Sequence, residues 1–320
     1  MIDRLKEFFF SKGVLVRRLN VPYSKPQAII EISNLCNASC VFCPYESIKK
    51  FSDKQFTNMS IEDSRKVINI IKQLDIEVVN FTPTSGDLFI NKDWFEILSI
   101  ALNQENIKEV LFNTNAILLN KENIEKLLAL PNLHKLRYIA ISLGGLDAET
   151  YRKLFKVDKF DKVAANVNLL LKSLKDHHSS VKVIPNLHYM KNSRFSKKDV
   201  DRIYNQARYQ HFESSDATRS KTYYKIRDVE EYEELEFPES PYNKREVCLR
   251  MRYFRFAANG DVWLCGCVAS ETKESNSLRV GTLEDTLEGL KANQAHLVNE
   301  WFSYGHIPDV CTSCSVYRPY

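Results

Sequence analysis

The chain has 320 residues, 44% of them apolar and 27% charged, with a formal charge of +4 and eight cysteines. That length holds one large domain or a large and a small one, and the composition is that of a globular protein, not a disordered or fibrous one. No apolar run approaches the roughly 20 residues that span a bilayer. The weak positive charge is scattered, with no arginine-rich arm or aromatic RNA-binding motif, which argues against nucleic acid or a membrane as partner.

In chain order, Met1–Phe10 is no secretory signal, because its apolar run is short and Asp3 and Glu7 interrupt it. It reads as a short amphipathic helix in an extension over residues 1–26. Eight cysteines without a signal point to metal binding in a reducing, cytoplasmic compartment and not to disulfides. From 27 to 229 short β-rich runs alternate with amphipathic helices. The strands are expected at Gln27–Ser33, Ile76–Phe81, Glu109–Asn115, Arg137–Leu143, Val181–Tyr189 and Lys221–Ile226. One helix starts at Ser60, with Asp63 completing a capping box, and carries Val67, Ile70, Ile71 and Leu74 on one face. Another places Val163, Val167, Leu170 and Leu174 together, and Ser196 with Asp199 repeats the capping device before Val200, Ile203 and Ala207. This alternation implies parallel strands joined by right-handed crossovers. The acidic run Glu230–Glu236, followed by Pro238 and Pro241, reads as a solvated linker over residues 230–247. Beyond it, residues 248–320 form a small cysteine-rich domain in which Tyr253–Ala257 turns at Asn259-Gly260 into Val262–Leu264 as a hairpin.

Directly after the first strand stand Cys36, Cys40 and Cys43, at C-x3-C-x2-C spacing. Three thiols on one loop can hold three irons of a cubane [4Fe–4S] cluster and leave the fourth iron open to a small molecule. A partial zinc site or part of a disulfide set is the alternative reading of the trio alone. The spacing resembles the signature of the radical S-adenosylmethionine (SAM) superfamily, in which the open iron takes the amino and carboxylate groups of SAM. The resemblance implies a partial (β/α)6 TIM-like barrel with functional loops after the C-terminal strand ends. It also implies that Phe42 packs near the adenine. Thr84-Ser85-Gly86-Asp87 resembles the family's Gly-Gly-Glu motif, with Ser85 for the first glycine and Asp87 for the glutamate, and so implies contacts to the SAM amino group. Asn113-Thr114-Asn115-Ala116 resembles its Thr-Asn-Gly sequence, and Ile141-Ser142-Leu143-Gly144-Gly145 its Ile-Ser-Leu-Asp-Gly pattern. Thr114, Asn115 and Ser142 are thereby implied near SAM, and Asp147 reads as a helix N-cap.

Cys248, Cys265, Cys267, Cys311 and Cys314 make a second set. It resembles the shortened SPASM module called Twitch, which holds one auxiliary [4Fe–4S] cluster, here implied on Cys248, Cys265, Cys311 and Cys314. Cys267 is a substitute for Cys265, a hydrogen-atom donor or inert, and a four-cysteine zinc knuckle is the alternative for the region. His188, near the end of the fifth strand, and Arg252 and Arg255, before and in the hairpin, are candidates to face a substrate, the arginines for an anionic one; alternating strand faces let only one of the two point into a given pocket.

The implied chemistry is one-electron cleavage of SAM to methionine and a 5′-deoxyadenosyl radical that takes a hydrogen atom from substrate. A fully ligated auxiliary cluster would accept the remaining electron, which resembles the dehydrogenation of a sugar or aminocyclitol hydroxyl. Maturation of a ribosomal peptide is the alternative; many such enzymes carry a leader-gripping module, and only about 26 residues precede the first strand here. A non-enzymatic iron–sulfur or zinc protein is the third reading. The expected partners are a small, sugar-like or anionic substrate, or a peptide, and an electron donor such as flavodoxin or ferredoxin.

Overall fold

The computed structural model describes residues 26–43, 45–46, 49, 55–83, 85–188, 197–203, 244, 246–266, 278–312, 314 and 317. The expected N-terminal helix, the strand at Lys221–Ile226, the Ser196 cap, most of the acidic linker, Thr84 and Cys267 lie outside these residues. Five strands form close to their expected places: β1 (Gln27–Ile30), β2 (Val78–Phe81), β3 (Glu109–Thr114), β4 (Leu136–Gly144) and β5 (Lys182–His188). Between and after them lie α1 (Ile61–Gln73), α2 (Trp94–Leu102), α3 (Lys121–Leu128), α4 (Ala148–Phe155), α5 (Phe160–Asp176) and α6 (Lys197–Ile203). Ser60 caps α1 in extended backbone, accepting from the Asp63 amide at 3.0 Å and donating its hydroxyl to Asp63 Oδ2 at 2.8 Å. Asp147 caps α4 in the same way through the Thr150 amide.

The sheet runs β5-β4-β3-β2-β1-β6-β7-β8, where β6 is Phe254–Phe256, β7 Asp261–Leu264 and β8 Arg279–Thr282. Strands β1 to β5 are parallel, as their helical crossovers require. The expected hairpin forms, with β6 and β7 antiparallel. It does not stand apart from the barrel: β6 pairs in parallel with β1, and β7 and β8 extend the same sheet. Two further helices follow, α7 (Leu287–Tyr304) and α8 (Asp309–Thr312). The architecture is thus a partial TIM-like barrel with parallel strands.

One face of the sheet carries Ala28, Ile30, Val79, Phe81, Val110, Phe112, Ile139 and Ile141, packed with Val67, Ile71, Val163, Val167 and Leu170 of the helices. Each of the Val, Leu, Ile and Phe side chains taken from water contributes about 1.5–3 kcal/mol. The opposite face, which becomes the lumen, is set by register. Ile29 aligns with Asn80, Asn80 with Leu111 and Leu111 with Tyr138, and on the other side Ile29 aligns with Arg255 and Arg255 with Trp263. Two residues further along each strand the same face presents Glu31, Thr82, Asn113 and Ala140, and beyond them Ser142 beside Asn186. The helix-facing side is thus uniformly apolar, while the lumen side mixes apolar residues such as Ile29 and Leu111 with amides, hydroxyls and one ion pair. Among the described residues no helix is long and apolar enough to cross a membrane.

Candidate active site

The loop carrying Cys36, Cys40 and Cys43 leaves the C-terminal end of β1 and is fastened from three sides. The amides of Ser39 and Val41 donate to the carbonyls of Phe155 (3.2 Å) and Leu154 (2.8 Å), at the C-terminal end of α4. A helix end leaves such carbonyls without intrahelical partners. The Cys36 amide donates to the Tyr45 hydroxyl at 3.2 Å, and the Cys43 amide to the Cys40 carbonyl at 3.0 Å. The third fastening is Asn115 at the end of β3: its Nδ2 lies 2.7 Å from Asn37 Oδ1 and 3.8 Å from Cys36 Sγ.

Gly86 brings the loop after β2 against the start of the cysteine loop. Its φ is +126°, and a Cβ there would stand 2.3 Å from the Ser33 carbonyl oxygen and 2.9 Å from Asn34 Cα, both backbone atoms. Only glycine allows that approach. Gly86→Ala is expected to cost about 3 kcal/mol, since a backbone clash adds to the left-handed strain. Urea unfolding of the metal-free protein measures it, and an unchanged midpoint would show that the two loops do not meet this closely.

Asp87, implied at the SAM amino group, is held by three donors of the protein itself. Its side chain is 1% exposed. Oδ1 accepts from the Phe89 amide at 3.0 Å, and Oδ2 from Thr114 Oγ1 and the Asn115 amide, both at 2.8 Å. Burial raises its pKa, against the opposing effect of these three donors. Thr114 in turn accepts from the Ala116 amide at 3.0 Å, and Asn115 Oδ1 from the Ile117 amide at 3.0 Å. Ala116 has a left-handed φ of 60°, and Asn166 of α5 donates to its carbonyl at 2.8 Å. Asp87, Thr114 and Asn115 therefore form a latch that joins the loops after β2 and β3 behind the thiol loop.

The donor set fits an iron–sulfur cluster. Burial, and after it the charges of Asp87 and Cys43, pushes the Cys36 thiol up to about 12. A metal that takes the proton's place would stabilise such a buried thiolate, and an N–H directed at the sulfur, as from Asn115, is the kind of outer contact that tunes a cluster. Two buried polar atoms beside this loop, Asn37 Nδ2 and Ser85 Oγ, have no partner within the protein. Buried groups of this kind normally have a hydrogen-bond partner, and a polar ligand would supply one.

Of the remaining candidates, Ser142 is half-buried within β4, on the lumen face beside Asn186. Phe42 packs on His188 with ring centroids 3.9 Å apart. Arg255 does not reach solvent: it is fully buried, as is Glu31, with 3.9 Å between its Nη1 and Glu31 Oε2, and it lies 5.3 Å over the Trp263 ring. That neutralises it as an anchor for an anionic substrate. Arg252 ends the short 3-10 turn Leu249–Arg252 that follows Cys248. Sequence reasoning missed Glu31, Asn37 and Asn166. A carboxylate inside the apolar run 28–32 and an amide on the apolar face of a helix were the available signals.

In the C-terminal part, burial and then the charges of Cys248 and Cys314 raise the pKa of Cys311. Cys265 is buried with a left-handed φ of 64°, and its amide donates to the carbonyl of Tyr253, the residue closing the turn after Cys248, at 3.0 Å. Non-glycine residues persist in that conformation where surrounding structure holds them. Among the described residues, no three His, Cys, Asp or Glu side chains converge as single-ion ligands would.

The model of the Radical SAM superfamily matches residues 30–194. The chain is 26% identical over 144 residues to GTP 3',8-cyclase of Shewanella denitrificans, covering 45% of this chain and 40% of that protein. It is 30% identical over 138 residues to a probable GTP 3',8-cyclase of Saccharolobus islandicus, covering 43% and 41%. The match thus spans about two fifths of these relatives' length. Among solved structures, Streptococcus suis SuiB bound to precursor peptide SuiA superimposes with a TM-score of 0.60 at 16% identity, over 98% of this chain and 83% of that one. BtrN in complex with AdoMet and 2-DOIA does so with a TM-score of 0.52 at 11% identity, over 91% and 92%. At these identities the likeness is one of fold.

Proposed function

Because the chain belongs to the radical SAM superfamily, and is on that ground an enzyme that uses a [4Fe–4S] cluster and SAM, we propose that it dehydrogenates a small hydroxylated substrate of sugar or cyclitol type, with the C-terminal thiols holding a second cluster as electron acceptor. Cys36, Cys40 and Cys43 would hold the first cluster, which with SAM bound would supply one-electron cleavage of the SAM sulfur–C5′ bond to methionine and a 5′-deoxyadenosyl radical. The residues around it hold the substrate carbon near that radical and keep water out. Transfer of a hydrogen atom from a CH–OH carbon yields 5′-deoxyadenosine and a carbon radical. Loss of one proton and one electron from that radical gives the ketone.

The observation that carries this reading is the pairing of β6 with β1. It joins the hairpin that leads to Cys265 to the strand that delivers Cys36, which supports an acceptor held by Cys248, Cys265, Cys311 and Cys314 near the first thiol loop. The lumen supports a neutral, hydrogen-bonding substrate. Asn80, Thr82, Asn113, Ser142 and Asn186 face it, and Thr82 donates to Asn80. A triphosphate, as in the names of the GTP cyclases, needs several cations. Of the two described cations that register places in the Ile29 row of this face from β5 to β6, Arg255 is paired with Glu31 and Lys182 is exposed on the edge strand β5. Peptide maturation is the second reading, favoured by the likeness to peptide-bound SuiB along nearly the whole chain.

Anaerobic reconstitution should give about eight irons per chain for two clusters and about four for one. SAM with dithionite should then yield 5′-deoxyadenosine, and a deuterated aminocyclitol should pass deuterium into it where GTP and a cysteine-containing peptide do not. An intact cluster that forms no nucleoside would refute the enzyme reading. Deuterium arriving from the peptide or from GTP would replace the substrate class.

A further inference from the structure

We propose that His188 is a positioning residue that fixes the ring of Phe42, and through it the adenine of SAM; the inference rests on the SAM-binding reading above. Phe42 precedes Cys43 on the thiol loop, and its ring lies flat on His188, with centroids 3.9 Å apart and planes at 12°. His188 is 5% exposed and ends β5, where it aligns with Gly144 of β4 and accepts at its carbonyl from the Gly145 amide at 3.0 Å. Its backbone is therefore held by the sheet, whereas Phe42 sits on a loop. The stack transmits the sheet's rigidity to the loop.

Phe155 closes the edge of the stack. Its ring meets Phe42 at 5.3 Å and 74°, and His188 at 6.1 Å and 64°. Tyr151 backs Phe155, stacked at 4.7 Å and 13°. Phe155 lies directly on Gly144, where a Cβ would stand 2.5 Å from its ring. The carbonyls of Leu154 and Phe155 hold the backbone of the same loop. Loop backbone and loop ring are thus both tied to the β4–α4–β5 unit, the first through the helix end and the second through His188. With one face of Phe42 against the imidazole, the orientation of its remaining surface is set by His188, and an aromatic pair of this geometry is specific in its orientation.

Reconstituted wild type, His188→Ala, His188→Phe, Phe42→Ala and the Phe42→Ala/His188→Ala double variant are titrated with SAM. The readout is the change in the EPR spectrum of the reduced cluster, normalised to cluster content. Loss of the stack is expected to weaken SAM binding about tenfold in His188→Ala, with His188→Phe near wild type because it retains the ring. The double variant should bind no more weakly than Phe42→Ala. The proposal is overturned by wild-type affinity in His188→Ala, by His188→Phe as weak as His188→Ala, or by losses that add in the double variant. A wild-type protein with a full cluster that binds no SAM would instead remove the SAM reading itself.

Discussion

Cys40→Ala is expected to abolish 5′-deoxyadenosine formation, by at least about a thousandfold, and to remove about four irons per chain while leaving the fold in place. The two effects separate because of where Cys40 sits. It is 8% exposed and packed in the main apolar cluster, on the turn whose Val41 amide is held by α4. Replacing a buried thiol by a methyl group removes one small atom from that core and breaks none of the loop's backbone hydrogen bonds, so the loss of stability stays near 1 kcal/mol. The chemical loss is far larger. Two thiolates do not retain a cubane that three hold with one iron open, and without that iron SAM has no metal to bind. Far-UV circular dichroism, iron content and nucleoside yield together measure this. An unfolded variant would move the first; an intact fold with full nucleoside yield would mean that the loop does not carry the cluster.

The strands were legible because two signals are local. Short runs rich in apolar and β-branched residues mark Gln27–Ile30 and Glu109–Thr114 as strands, and the 3.6-residue repeat of Val163, Val167 and Leu170 marks a helix between strands. The Ser60 and Asp147 caps were legible for the same reason, since a side chain and an amide three residues on decide them. What was not legible depends on partners far apart in sequence. Phe254–Phe256 reads equally well as half of an isolated hairpin or as a strand beside β1, because nothing within three residues records which edge it will join. Nothing near Asp87 in sequence records that Thr114 and Asn115, some 27 residues on, donate to its carboxylate. His188 could be placed near the end of β5, but its stack on Phe42 needs the loop after β1 to fold across the sheet.

Cys314→Ala should have the opposite profile to Cys40→Ala: SAM cleavage persists and net oxidation stops. Cys314 follows α8, and its amide donates to the Cys311 carbonyl at 3.2 Å, far in sequence from the thiol loop and the Asp87 latch. Its removal leaves the first cluster, the Asn115 contact to Cys36 and the stack of Phe42 on His188 as they are. About four irons per chain should be lost, provided that the C-terminal thiols hold a cluster of their own. Hydrogen-atom transfer would still give 5′-deoxyadenosine, but the substrate radical would keep its electron, and the ketone would not form. The diagnostic quantity is thus a ratio: nucleoside per ketone near one in the wild type, and at least about tenfold higher in the variant. Lys244, which donates to the Thr312 carbonyl at 2.7 Å, gives a control, because Lys244→Met loosens the same segment without removing a thiol. It should lower stability slightly and leave the ratio unchanged. Full ketone formation by Cys314→Ala would defeat the acceptor role of this thiol set, and a ratio raised equally in Lys244→Met would assign the effect to the segment's packing and not to its sulfur.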